Sequence, residues 1–442
     1  METPRKRIGL ARWWVLFLIS MMYLITYLDR VNISAAAPLI AKEFHFSKIT
    51  MGLIFSAFLW AYAGFQVPGG WMGDRFGPRG VLASIVTYWS VMTALTAKAV
   101  GATSFSVLRF LFGVGEAGAF PTATRAMQLW YPRQERGLAQ GVSHSASRLG
   151  AAIAPPFVVA IMIHFGWRPV FYICGALGLV WSILWYFSYR NMPEEHVWAS
   201  RQELEHIRGI DEKGNVKQVD FKKKPTVPWK VLLSSPNMWA IMCAYFTYVY
   251  CLWIFLGWLP SYLVEYRHFG LIKMGYYASM PLMAGVVGDT VGGWATDYLL
   301  KKTGKTRFSR KIVAITGMLG CVVFIVPAAM SQSATTAVYC LTASMFFLEC
   351  TIGPSWAVPM DVGGEYSGTV SGMMNMAGNI GGALSPTVFG VLVQFGSWVA
   401  PFIVAAGLLI FGALVWAFWL NPEASVLDRT LIGKEVTTRT PA

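Results

Sequence analysis

Apolar runs long enough to cross a bilayer, about 20 residues each, recur twelve times along this chain. They cover 14–35, 49–73, 80–101, 103–126, 137–163, 167–190, 236–263, 274–300, 310–330, 335–358, 367–394 and 398–421. Polar residues gather in short connections, except for one long polar segment at 191–235. The pattern predicts an all-α membrane protein. Its organisation is a six-helix bundle over 1–190, a linker over 191–235 and a second six-helix bundle over 236–442 that ends in a short tail. The linker holds acidic turns (194-EEHVWASRQELEHIRG-209) and a basic run, Lys222–Lys224. It reads as a tether carrying one or two amphipathic helices; lipid binding or regulation through Lys222–Lys224 is the other reading.

Composition sharpens this picture. Hydrophobic residues make up 55% of the chain and charged residues 13%, about half the share that a soluble domain carries. The net charge of +14 does not form a nucleic-acid face, because Lys and Arg are confined to short loops. Arg75/Arg79, Arg133/Arg136 and the cluster Lys301, Lys302, Lys305, Arg307, Arg310, Lys311 occupy loops of one side, whereas loops around 327–337 and 395–399 hold no charge. By the positive-inside rule both termini are expected in the cytoplasm. Arg5, Lys6 and Arg7 precede the first apolar run without a small-residue cleavage site after it, so the first helix is expected to be retained. Cys174, Cys243, Cys251, Cys321, Cys340 and Cys350 lie in apolar segments with no ligand spacing. They read as packing residues, and no metal or cofactor is expected.

The two halves echo each other. The stretch 69-GGWMGDRFGPR-79 and the stretch 292-GGWATDYLLKK-302 align Gly-Gly-Trp and Asp at an offset of 223 residues. A weaker echo pairs 150-GAAIAPPF-157 with 381-GGALSPTVF-389. Parallel halves of this kind place a substrate between them at mid-depth.

These loop motifs, the twelve spans and the central linker resemble the major facilitator superfamily. Within it, 27-YLDRVNIS-34, 55-FSAFLWAYAGFQVPGGWMGDR-75, 109-RFLFGVGEAGAFP-121, 130-WYPRQERGLA-139, 355-SW-356 and 373-MMNMAG-378 resemble the anion:cation symporter family. Its bacterial members include proton-coupled carriers of galactonate, hexuronates and glucarate. The resemblance implies a gating loop motif at Asp74, Arg75, Arg79 and Asp297; spacing alone shows only polar, Gly-rich turns in which Asp74 and Asp297 can cap helices or pair with arginines.

Chemistry inside the spans begins with 16-LFLISMMYLITYLDRVNISAAAPLI-40, where Asp29 and Arg30 stand side by side. Each charge costs about 2.5–3.5 kcal/mol at the centre of a spanning helix. Neighbours on a helix point about 100° apart, so one can face the interior while the other reaches a neighbouring helix. Intramembrane charges mark substrate or ion pathways, although an ion pair that only fixes packing would look the same. Arg109 and Glu116 are two turns apart on one face, and an extended Arg109 can lean toward Glu116 or toward Asp29. Burial disfavours an ionised carboxylate unless a cation holds it, which suits a proton carrier. The resemblance implies the same roles: Asp29 and Glu116 couple protons, and Arg109 modulates Glu116. It further implies that Arg30 holds the substrate carboxylate, that Tyr27 and Tyr62 donate hydroxyl hydrogen bonds, and that Ser355, Trp356 and Asn375 contact a sugar chain.

One departure from the galactonate carriers stands in 143-SHSASRLGAA-152. Ser147 replaces a Gln and is followed by Arg148, about 16 Å into the span, with His144 one turn earlier. A second cation at this depth suits a dicarboxylate; alternatively Arg148 pairs with an acidic neighbour while Ser147 faces the cavity. Asp289 is expected near the cytoplasmic end of its span, in a solvated or loop-pairing role. Glu349 is expected as a third proton site or as the partner of Arg148. No nucleophile-base set, phosphate-cradling loop or metal spacing is present, so an enzyme is not expected. The reading is a monomeric symporter in a bacterial inner membrane, importing an organic anion, foremost a sugar acid, with protons. An exporter or antiporter of the same fold and a carboxylate-sensing receptor are the alternatives.

Overall fold

The computed structural model describes residues 10–131, 136–208, 229–363 and 367–427. Arg5–Arg7, Arg133, Lys222–Lys224 and the tail from 428 lie outside the described residues, as do the side chains of Asp74 and Arg136.

Twelve helical spans form the body of the protein. They are α1 (Ala11–Phe44), α2 (Lys48–Phe76), α3 (Pro78–Thr96), α4 (Ala102–Glu116, continued by Ala119–Trp130), α5 (Arg136–Phe165) and α6 (Arg168–Ser188). The second set comprises α7 (Pro236–Tyr266), α8 (Leu271–Thr303), α9 (Thr306–Met330), α10 (Ala334–Cys350, continued by Ile352–Gly363), α11 (Ser367–Gln394) and α12 (Ala400–Trp419). Among the described residues nine of these segments are long and apolar enough to cross a membrane unaided. The exceptions, α3, α4 and α8, are shorter, broken or more polar and are carried by their neighbours.

Local chemistry sets the ends. The Ser47 hydroxyl accepts the Thr50 N–H at 3.0 Å to start α2, and Pro78 and Pro236 stand in the first turns of α3 and α7, where a missing N–H costs nothing. α1 runs nine residues past the expected end at 35. Its last turn is polar yet helical because Glu43 is held there, by the Arg168 guanidinium at 2.6 Å and the Trp167 indole at 2.7 Å.

Pairing repeats with a shift of six helices. In the first half α1 packs on α5, α2 on α4 and α3 on α6; in the second α7 packs on α11, α8 on α10 and α9 on α12. Between halves α2 lies along α11 and α5 along α8, again a symmetric exchange. The sequence repeat has a structural counterpart in the breaks of α4 and α10. A Cβ on Gly69 would lie 2.4 Å from the Gly118 Cα, and one on Gly353 would lie 2.7 Å from the Gly293 Cα. The Gly-Gly pairs of α2 and α8 thus let an interrupted helix touch backbone to backbone.

Part of the linker folds against the terminal face. The helix Arg201–Arg208 brings the Glu203 carboxylate within 2.9 Å of the Arg12 N–H, and Trp198 meets Trp14 edge-on at 6.1 Å. His196 packs against Trp130 at 5.2 Å. Burial lowers its pKa from the ordinary histidine value, and its Nδ1 accepts the Trp198 N–H at 3.2 Å.

Candidate functional site

Two buried guanidinium–carboxylate pairs mark the centre of the molecule. α1 supplies the first guanidinium. Arg30 Nε donates to Glu116 Oε1 of α4 at 2.6 Å, and both side chains are buried. Four rings surround this guanidinium: Tyr62 at 4.6 Å, Tyr27 at 4.7 Å, Phe58 at 5.4 Å and Phe120 at 5.5 Å. The rings exclude water while their faces offset part of the lost hydration. Asp29 turns away from this cage. Its Oδ1 accepts from Asn32 at 3.4 Å, and Arg109 Nη1 reaches only its main-chain carbonyl at 3.5 Å. Asp29 and Arg30 therefore do not pair with each other. Arg109 shares the Phe58 ring with Arg30, at 5.1 Å, and leaves Glu116 to Arg30. Among the described residues Asp29 Oδ2, Glu116 Oε2, Arg30 Nη2 and Arg109 Nε have no hydrogen-bond partner.

The second pair bridges the halves. Arg148 Nη2 of α5 lies 3.1 Å from Glu349 Oε2 of α10. Tyr248 of α7 joins both, donating to Glu349 Oε2 at 3.0 Å and standing 3.4 Å from Arg148 Nη2. Arg148 also faces the Tyr27 ring, at 5.8 Å. Ser147 instead bonds back to its own helix, to the His144 carbonyl at 2.6 Å. Of the two neighbours, Arg148 is the one that points between the halves. His144 approaches Tyr23 at 5.5 Å and Trp356 at 6.1 Å.

The C-terminal half closes on this centre with aromatic groups. The Trp356 indole N–H donates to the Tyr245 hydroxyl at 3.1 Å, and Tyr245 stacks on Tyr248 at 5.4 Å. Ser355 bonds the Thr351 carbonyl of its own helix at 2.7 Å. Asn375 reaches across to Gln66 of α2 at 3.4 Å. A cavity of about 500 Å³ opens at the rim beside Ile163 and residues 268–273. It holds none of these groups, so the charges and not this void define the site.

Asp289 departs from its expected place. It lies well inside α8, half-buried and within the field of Arg148, because Gly285 one turn earlier rests against the Glu349 side chain. The loop residues behave as surface ties. Arg310 bridges Asp297 at 3.0 Å and Asp361 at 3.1 Å. Arg75 lies exposed over Trp71 at 5.2 Å, and Arg79 Nε donates to the Tyr186 carbonyl at 2.9 Å.

Sequence reasoning passed over Tyr245 and Tyr248. The run 245-YFTYVYCLW-253 carried the signal, since it sets Tyr245 and Tyr248 three residues apart deep within an apolar helix. It also passed over Lys48, Glu265 and Gln394, which meet at the face away from the termini. Lys48 Nζ pairs with Glu265 of α7, and the Lys48 N–H donates to Gln394 of α11 at 3.0 Å.

A two-half helical bundle with buried charges at its centre is an architecture that membrane transporters use. A model described as Major Facilitator Superfamily matches residues 19–386, and the chain belongs to that superfamily. A Cupriavidus necator protein named "Probable sulfoacetate transporter SauU" is 44% identical, over 94% of this chain and 95% of its own length. A Bacillus subtilis protein named "Hexuronate transporter" is 33% identical, over 90% of this chain and 92% of its own. These relatives agree with the resemblance to anion:cation symporters. A solved bacterial homologue of the human lysosomal transporter Spinster superposes with a TM-score of 0.75 over 92% of this chain and 96% of that one, at 17% identity. That likeness speaks for the fold alone.

Proposed function

We propose that this protein imports a short organic dianion, carrying a sulfonate or carboxylate at each end, together with protons across a bacterial inner membrane. The observation that carries the proposal is the pair of guanidiniums around Tyr27. Arg30 and Arg148 lie 4.7 and 5.8 Å from the same ring centroid, so their central carbons are at most 10.5 Å apart. A fork-to-fork pair holds an anionic centre about 4 Å from each guanidinium carbon. That leaves at most roughly 2.5 Å between the two anionic centres while the arginines stay where they are, which favours a short dianion over a long one. Sulfoacetate, with two bonds between its sulfur and its carboxyl carbon, is such a dianion, and the relative with 44% identity bears its name. An aldarate, with five bonds between its carboxyl carbons, requires the arginines to move apart.

In this reading substrate binding takes Arg30 from Glu116, and the freed carboxylate, buried without a cation, accepts a proton. Asp29 is the second coupling carboxylate of the first half. Tyr27 and Tyr62 orient the anion, and Trp356, Asn375 and Ser355 close the other end. The halves rock about this fixed site, with both termini in the cytoplasm and the monomer as the working unit. A second reading, a longer hydroxylated acid, is favoured by the Trp356–Tyr245 pair and by the relative named for hexuronates.

Uptake into proteoliposomes under an inward proton gradient tests both, comparing sulfoacetate, glucarate, glucuronate and galactonate. Accumulation of sulfoacetate above the others is the expected result. Accumulation of glucuronate or galactonate alone would replace the dianion with a sugar acid.

A further inference from the structure

We infer that Glu349 is a resident anion: in the empty carrier it occupies the guanidinium meant for the distal anionic group of the substrate, and it takes up a proton when the substrate displaces it. The inference rests on the dianion reading above and assigns the second end of that substrate a partner and a proton.

Geometry carries the argument. Glu349 is fully buried, and its Oε2 is the sole atom through which it is held, by Arg148 at 3.1 Å and by the Tyr248 hydroxyl at 3.0 Å. Its Oε1 has no partner among the described residues. A carboxylate bound this way presents to Arg148 what one end of a dianion would present. The pair also joins α5 of one half to α10 of the other, so it stands where a substrate between the halves must bind. Removing one partner of a buried pair leaves the other charge bare in a low dielectric, which is strongly unfavourable. Protonation of Glu349 removes that charge.

Charge accounting gives the arrangement its consequence. Each end of a dianion displaces one carboxylate, Glu116 from Arg30 and Glu349 from Arg148, and each displaced carboxylate gains one proton from the donor side. Over these two sites the buried charge is unchanged, and both of these protons leave with the substrate on the other side, beside the one that Asp29 carries. A monoanion that takes only Arg30 leaves Arg148–Glu349 intact and moves one proton fewer. Other titratable groups face the Arg148–Glu349 pair from the packed helices: Tyr27 from α1 and His144 from α5 on the Arg148 side, and Tyr245 and Tyr248 from α7, Asp289 from α8 and Cys350 from its own helix on the Glu349 side. Asp289 is the rival, since it shares the field of Arg148.

The proton-to-sulfoacetate ratio, read from reversal potentials in proteoliposomes, tests the inference. Glu349→Gln should lower the ratio by one, while Glu349→Asp and Asp289→Asn keep it. An unchanged ratio in Glu349→Gln, or a drop in Asp289→Asn instead, overturns the assignment. Should Glu349→Gln fail to fold, Tyr248→Phe keeps the charge pair and removes one of its two ties. That variant should move the pH dependence of sulfoacetate affinity, and an unmoved profile equally overturns the assignment. The wild-type arm reports on the dianion reading separately: transport of monoanions alone removes that reading and Glu349's role with it, whereas dianion transport with unaltered variants removes only the latter.

Discussion

Arg30 sits where geometry constrains it most. Its Nε donates to Glu116 and its plane lies among four rings, and an ammonium offers neither that stacking plane nor a planar fork for an anion. Arg30→Lys keeps the charge but loses the fork, and hydrogen bonds to charged groups contribute about 1.5–3 kcal/mol each. Substrate affinity should fall by roughly ten- to a hundredfold, as read by concentration-dependent uptake; unchanged affinity removes Arg30 from the site. Asp29→Asn and Glu116→Gln address a different step. Both should abolish accumulation driven by a proton gradient while substrate exchange across the membrane persists, and accumulation equal to wild type would end their coupling roles. The charges themselves were legible, because an Asp, an Arg or a Glu inside an apolar run stands out at once. Their partners were legible only in part: Glu349 stood as a candidate partner of Arg148, and the two meet. That Glu116 meets Arg30 and not Arg109, and that Arg148 turns outward while Ser147 turns back on its own helix, depends on how α1, α4, α5 and α10 come together, which no single-helix spacing records.

At the scale of the helices, a pattern of period and punctuation carried most of the fold. Twelve apolar runs correspond to twelve helical spans, and the Gly-Gly-Trp repeat marks the place where α2 meets α4 and α8 meets α10. The breaks in α4 after Glu116 and in α10 after Cys350 were hidden, since 103–126 and 335–358 each read as one apolar run. These breaks explain the first glycine of each repeat: any side chain at Gly69 or Gly292 would enter the backbone opposite, as would one at Gly353, which faces Gly293. Gly69→Val and Gly353→Val should therefore each destabilise the protein in detergent, by about 1–3 kcal/mol as for other overpacked positions. Gly64→Ala is the control, because a Cβ there meets nothing. Melting curves distinguish them, and equal midpoints for Gly69→Val and Gly64→Ala would contradict the close approach.

Across the whole molecule, the two faces are tied differently. At the terminal face the ties described here stay within a half: Arg310 to Asp297 and Asp361, Arg79 to Asn191 and Tyr186, Asn237 to Asn421. At the opposite face, beside the Glu43–Arg168 tie within the first half, others cross between halves. Lys48 reaches Glu265 and Gln394 and lies 5.7 Å from the Trp398 ring, and Ser56 bonds Thr387 at 2.8 Å one layer deeper. Beside them α2 and α11 touch so closely that a Cβ on Gly52 would meet the Pro386 carbonyl at 2.4 Å. The structure is thus latched at one face, and movement of the halves has to release Lys48 before α2 and α11 part. Lys48→Ala removes the latch and Gly52→Leu wedges the contact. Both should shift the resting population toward opening at this face, while the distant Arg30–Glu116 pair is left as it is. A cysteine at position 56, buried against Thr387 in the latched form, reports the change through its rate of thiol labelling. Faster labelling in both variants, with no further gain when Glu265→Ala is added to Lys48→Ala, is the expected outcome, since the two side chains then act as one coupled unit. Labelling at the wild-type rate would mean that α2 and α11 are held together by their apolar contact alone, and that Lys48 is a surface charge with no part in the cycle.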